Sequence, residues 1–220
     1  MQLSVSEQFT LLALDNSSGL FNKQLSGMLG FYLAASGLLE LMLSDTIRLT
    51  SNDQVMFNKA QPAGSLSHLD LITYKIKKKP QPDSIKNWIV SLYTWNSRTI
   101  QQQLTESMEA QGLMEKHQKK WLSLLPFTYW KVSESMKESL VQRLRNDLLR
   151  EGVMSNEMLS IALLAAHSKI LNDYLYSEEI ELVKQRLALL QTNHDSPAIL
   201  FWYSQVKRAY TEAAASSWSI

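Results

Sequence analysis

The chain has 220 residues, a net charge of +1 and no cysteine. The lack of cysteine excludes disulfides, thiolate metal sites and cysteine nucleophiles, and near-neutrality argues against a generic nucleic-acid binder, which needs a basic surface. Apolar residues at 45% and charged residues at 20% fit a packed core, while 7 Gly and 5 Pro leave few tight turns, which favours helices over sheets.

The first cation is Lys23, so no basic region precedes the opening apolar run and no secretory signal is expected. Ser4 or Ser6, followed by Glu7, is suited to cap a first helix running through Phe9, Leu11, Leu12 and Leu14. Asp15-Asn16-Ser17-Ser18-Gly19 reads as a turn. A second helix is expected from about Lys23 to Ser44, apolar nearly all round and therefore central and buried. Gly27, Gly30 and Gly37 within it suggest close helix approach. The uncharged stretch Leu25 to Leu39 is shorter than the ~20 residues a membrane-spanning helix requires, so membrane contact is expected to be peripheral.

Ile47, Leu49, Val55 and Phe57 alternate with polar residues around Ser51-Asn52-Asp53, the pattern of a strand hairpin. Pro62-Ala63-Gly64 is a loop signal. A helix from Ser65 to Lys79 ends in a lysine cluster and Pro80, where cations offset the negative helix end. Two further helices, Ile85 to Tyr93 and Thr99 to Gln111, follow, the second closed by Gly112. Lys119 to Trp130 is an apolar hairpin candidate with four aromatics and three leucines, and a turn is expected near Leu125-Pro126. Four helices at 3.6-residue spacing complete the chain: Glu134 to Glu151, Asn156 to Tyr176, Ser177 to Gln191 and Ile199 to Ala215. No repeat, low-complexity segment or linker appears, so residues 1–220 are expected to form a single domain.

No phosphate loop, nucleophile elbow or HExxH-type motif is present, and His68, His117, His167 and His194 lie far apart in sequence. His167 reads as a core histidine, and Glu178, Glu179 and Glu181 as an acidic helix start. No catalytic residue, cofactor or metal site is expected. The hairpin carries the strongest signal. Trp and Tyr favour the membrane interface, and Lys116, Lys119 and Lys120 at its base would meet anionic lipid. The same apolar hairpin would also suit packing on the core or homo-oligomerisation. A winged-helix-like nucleic-acid binder over Ile100 to Val132 is the third reading, disfavoured by the apolar tip.

Several segments, in order, resemble the Golgi phosphoprotein 3 family. They are Leu3-Ser4-Val5-Ser6-Glu7 with Leu11-Leu12-Ala13-Leu14-Asp15, then Gly37 to Leu43 with Ile47-Arg48-Leu49, and Pro62-Ala63-Gly64. Gln81-Pro82 with Lys86-Asn87-Trp88-Ile89, Gln111-Gly112-Leu113, and Ala165-Ala166-His167 with Ile170-Leu171 continue the series. The resemblance implies a mainly α-helical domain around a central apolar helix, with short β-strands and a protruding β-hairpin. It also implies a cytoplasmic, peripheral membrane adaptor without catalysis, binding a phosphoinositide-like headgroup, with client proteins unknown and homo-oligomers reported in the family. The chain is expected to be a prokaryotic member that begins at the domain, without the basic tail. By position, the family's headgroup arginines fall on Arg98, Gln101 and Ala34, and its tryptophan near Phe21 or Leu25. The expected headgroup residues are therefore Arg98, Gln101, Phe21, Lys119 and Lys120. Trp121, Leu122, Leu124 and Phe127 are the expected membrane-inserting set. With Gln101 and Ala34 in place of arginines, much bidentate phosphate binding is lost, so specificity for phosphatidylinositol 4-phosphate is not expected.

Overall fold

The computed structural model describes residues 3–25, 27–59, 67–121, 125–150, 152–193 and 196–217, with only the backbone at 67, 120, 121, 125, 126, 193, 216 and 217. It is mainly α, and 68% of it is helical. The chain divides into two compact units. One comprises chiefly Glu7–Gly27 and Met108–Ser196, the other Ser4–Ser6, Met28–Ser107 and Pro197–Ile220.

The second unit is built on α2 (Leu29–Leu43), buried at twelve of its fifteen positions. This is the expected central apolar helix, but it starts later than its composition suggests. Lys23–Leu25 forms a separate 3-10 turn, and Gly27 takes φ +82°, which stops a helix from running through. Gly30 and Gly37 do mark close approach. A Cβ on Gly30 would stand 2.4 Å from the Cβ of Ser97, and one on Gly37 would stand 2.6 Å from Cδ1 of Ile72. Gly27 has nothing within 4 Å and makes a turn instead.

Strands β1 (Ile47–Leu49) and β2 (Gln54–Phe57) pair antiparallel with Leu49 opposite Val55, as their alternation predicts. A two-residue strand β3 (Asp83–Ser84), too short for a periodic signal, adds to β2. Helix α3 (Ser67–Lys78) follows the hairpin, and the Pro62-Ala63-Gly64 loop signal lies outside the described residues.

The two helices expected between Ile85 and Gln111 are one, α4 (Ile85–Ala110), 26 residues long. The polar run Thr94 to Arg98 contains no Gly or Pro, and the Thr94 hydroxyl donates to the Val90 carbonyl at 2.8 Å within the preceding turn. Nothing there breaks the ladder. Helix α8 (Pro197–Ser217) closes the unit. Trp202 of α8, fully buried, donates its indole N–H to the Ala35 carbonyl at 3.1 Å, and Phe31 meets Tyr93 and Tyr210 edge-on at 5.9 and 5.7 Å.

The first unit contains most of α1 (Val5–Ala13) with its core residues Phe9, Leu11 and Leu12. Strands β4 (Met114–Trp121) and β5 (Leu125–Val132) follow the Gly112 cap, where Leu113 N–H returns to the Met108 carbonyl at 2.9 Å. Ser133 caps α5 (Glu134–Leu149) and Ser155 caps α6 (Asn156–His167), each accepting from the backbone N–H three residues on.

The helix expected to reach Tyr176 ends at His167. Lys169 takes φ +64°, and a 3-10 turn over Ile170–Asp173 follows. His167 is half-buried. In α7 (Ser177–Asn193), Glu178 and Glu179 do begin the helix. Glu179 does more than face the dipole, because it also accepts from Tyr176 N–H at 3.0 Å and pairs with Arg145 of α5 at 2.5 Å.

Candidate functional site

The apolar hairpin exists and is longer than its composition marks. β4 and β5 pair antiparallel over eight positions, from Met114 opposite Val132 to Trp121 opposite Leu125. Leu125 and Pro126 therefore lie in β5, paired with Trp121 and Lys120, and are not the turn; a proline has no N–H to give a ladder, and here it sits on an open-edged strand. Leu122 and Leu124 of the expected inserting set lie outside the described residues. The side chains of Lys120 and Trp121 do too. Phe127 is described, half-buried, and directly opposite the exposed Lys119.

Two of the four aromatics belong to the base and not the tip. The Tyr129 ring stacks on His117, its register partner, at 5.2 Å and 21°. Trp130 lies under Lys116, with Nζ 5.9 Å from the ring centre, and donates its backbone N–H to the Gly19 carbonyl at 2.8 Å. Gly19 belongs to the turn after α1, in left-handed backbone at φ +66°; a Cβ there would stand 2.5 Å from the Trp130 carbonyl oxygen. The turn is braced by Asp15, whose carboxylate accepts from the hydroxyls of Ser17 and Ser18 and from Ser18 N–H, which lowers its pKa to about 2. A cleft of about 330 Å³ lies between this turn and Tyr129–Val132.

Below the turn is a buried cation that the sequence did not flag. Lys137 of α5 is 2% exposed, donates to the Leu14 carbonyl and lies 5.5 Å from the Tyr174 ring centre. Burial lowers its pKa to about 8, opposed by Asp15 and Asp173. The Tyr174 hydroxyl donates to the Leu12 carbonyl at 2.7 Å, and Asn22 bonds Asp173. The end of α1, the segment after it, α5 and the 3-10 turn before α7 are thereby joined by polar contacts. A lone lysine in a polar face gives no periodic signal of burial.

The remaining expected headgroup residues divide between the units. Phe21, in the first unit, is half-buried and bridges Leu14 through its backbone, whereas Leu25 is 1% exposed and has no surface to offer. Arg98 and Gln101, in the second unit, stand one turn apart on α4; Arg98 is exposed and Gln101 half-buried. Ala34 is fully buried in α2, which leaves no surface at the third family arginine position. The lysine cluster of α3 is partly engaged: Lys79 pairs with Asp83 at 2.5 Å, and Lys77 and Lys78 lie over Phe57 and Tyr74.

Two features of the second unit went unread in the sequence. His68 is fully buried; neither ring nitrogen has a hydrogen-bond partner, and Nε2 stands 3.9 Å from a Glu40 carboxylate oxygen. Burial lowers its pKa to about 3. Trp95 of α4, one turn before Arg98, is 79% exposed.

A family model described as Golgi phosphoprotein 3 (GPP34) matches residues 5–209. The chain belongs to the Golgi phosphoprotein 3 family. The ordered motifs between residues 3 and 190 thus reflect membership over nearly the whole chain. No curated protein matches it. In this family member, no helix of the described residues is long and apolar enough to cross a membrane, and the described residues hold no cluster of His, Asp and Glu suited to a metal.

Proposed function

We propose that this Golgi phosphoprotein 3 family member is a peripheral membrane adaptor without catalytic activity. It contacts anionic lipid through the end of the β4–β5 hairpin, with Lys119, Lys120 and Arg98 toward the headgroups. The observation that carries the reading is the hairpin itself. Among the described residues its two strands pair only with each other, and its distal sequence runs Trp121-Leu122-Ser123-Leu124-Leu125-Pro126-Phe127. An eight-residue strand rises about 26 Å, enough to hold an apolar end away from its base. Beyond the buried Met114, β4 has only exposed or half-exposed side chains among those described. The base is fastened by the Gly19–Trp130 bond, which favours a ribbon already shaped before it meets a bilayer.

The headgroup selectivity is generic. Arg98 supplies one guanidinium, Gln101 brings no positive charge, and the buried Ala34 supplies nothing. Co-sedimentation with phosphatidylcholine vesicles, with and without phosphatidylglycerol, tests the proposal. The expected result is binding that needs the anionic lipid and is lost in Phe127→Asp, since a carboxylate at an inserting position is repelled and costly to bury. Equal binding to both vesicles, or a Phe127→Asp protein that sediments like the wild type, would sink it.

A further inference from the structure

Among the described residues three aromatic side chains are exposed: Trp95 at 79%, Tyr176 at 68% and Tyr74 at 51%. Tyr176 lies under Arg145 at 5.1 Å and Tyr74 under Lys78 at 4.7 Å. Trp95 has neither a cation nor a ring against it among the described residues. It is the largest side chain type, and leaving most of it in water forgoes a substantial apolar burial.

The setting of Trp95 is fixed and unusual in composition. Ser97, on the opposite side of α4, is locked against Gly30 of α2, so the helix cannot roll to bury the ring. From Asn87 to Thr105 the only charged residue is Arg98, and no carboxylate of the described residues pairs with it. The exposed residues of that stretch are Asn87, Thr94, Trp95, Arg98, Thr99 and Gln102, with no aliphatic side chain among them. A protein-docking hot spot is sealed from water by a ring of well-packed contacts around its aromatic anchor. A lone indole among hydroxyls and amides, beside one unpaired cation, instead matches the headgroup layer of an anionic bilayer. There tryptophan is favoured for its apolar body and polar N–H.

We propose that Trp95 adds a bilayer contact on α4, beside the Arg98 already placed toward the headgroups. The indole lies at headgroup depth next to the guanidinium. This rests on the membrane reading above, and adds a residue for which the family correspondence gave no place.

The test uses the full chain with phosphatidylcholine vesicles containing phosphatidylglycerol. Trp95→Ser is expected to weaken binding about tenfold, and Trp95→Phe less, as expected for loss of roughly half an indole's burial. Brominated acyl chains are expected to quench a fluorescence component present in the wild type and missing from Trp95→Phe. An exposed residue changes without unfolding the chain, and an unchanged thermal melt checks this. If Trp95→Ser binds like the wild type while Phe127→Asp is released, the α4 contact is overturned and the hairpin reading stands. If Trp95→Ser instead lowers the light-scattering mass with vesicle binding intact, the face is a protein interface and the proposal is overturned. If the wild type binds neither vesicle, the membrane reading fails and this contact with it.

Discussion

A buried histidine with two idle nitrogens is a destabilising choice, and its cost depends on pH. His68 stays neutral in the fold because burial lowers its pKa to about 3, from the ordinary 6.5. In the unfolded chain it takes up a proton below about 6.5. The unfolded state therefore binds more protons as pH falls, and stability drops with it. The loss begins near pH 6.5 and continues toward pH 3. Urea unfolding between about pH 7.5 and pH 5 is expected to show a falling midpoint, with the slope reduced in His68→Gln. A wild-type midpoint that stays flat over that interval would show that Glu40, 3.9 Å away, accepts the protonated ring as a partner. The sequence could not announce this site. Ser67 and Asp70 lie around His68 with polar character, and its burial comes from Gly37 of α2 allowing α3 close, a contact far away in sequence.

At the level of elements, the hairpin depends on a single glycine outside it. Gly19 must be left-handed, and any Cβ would meet the Trp130 carbonyl at 2.5 Å. Backbone cannot retreat like a flexible side chain, so Gly19→Ala is expected to cost about 2 kcal/mol, combining φ strain with overpacking. A thermal melt reads the loss. Proteolysis within β4 and β5, accelerated relative to α8, would place it at the hairpin base, and a melt identical to wild type would refute the fastening role. Elements with their own boundary signals were legible in sequence: Gly112 closes a helix as expected, and the starts expected at Glu134 and Asn156 stand where Ser133 and Ser155 cap the helices. Elements bounded by context were not. Lys169 has no special taste for φ +64°, so the end of α6 was invisible, and Thr94 to Arg98 looked polar enough to be a gap although nothing there interrupts a helix. The hairpin's composition was legible but its register was not. Tyr129 and Trp130, apolar like the tip in composition, pair with His117 and Lys116 on the side of the base.

At the scale of the whole molecule, net charge cannot be what draws this chain to a membrane. A value of +1 over 220 residues gives no long-range field of consequence. Attraction must come from local cations, and those proposed here are few: Lys119, Lys120 and Arg98. Each contributes about fivefold near an anionic surface, roughly a hundredfold together at low salt. Salt screens that share, because the Debye length shrinks to about 3 Å at 1 M. The apolar share from the hairpin is not screened and is slightly strengthened by excluded salts. Vesicle affinity measured from low salt to about 1 M is therefore expected to fall by no more than roughly a hundredfold and then level off. Phe127→Asp removes the plateau, whereas Arg98→Gln lowers the low-salt affinity and leaves the plateau in place. Binding that vanishes completely at high salt would mean that charge alone holds the protein at the surface, and that the hairpin does not insert.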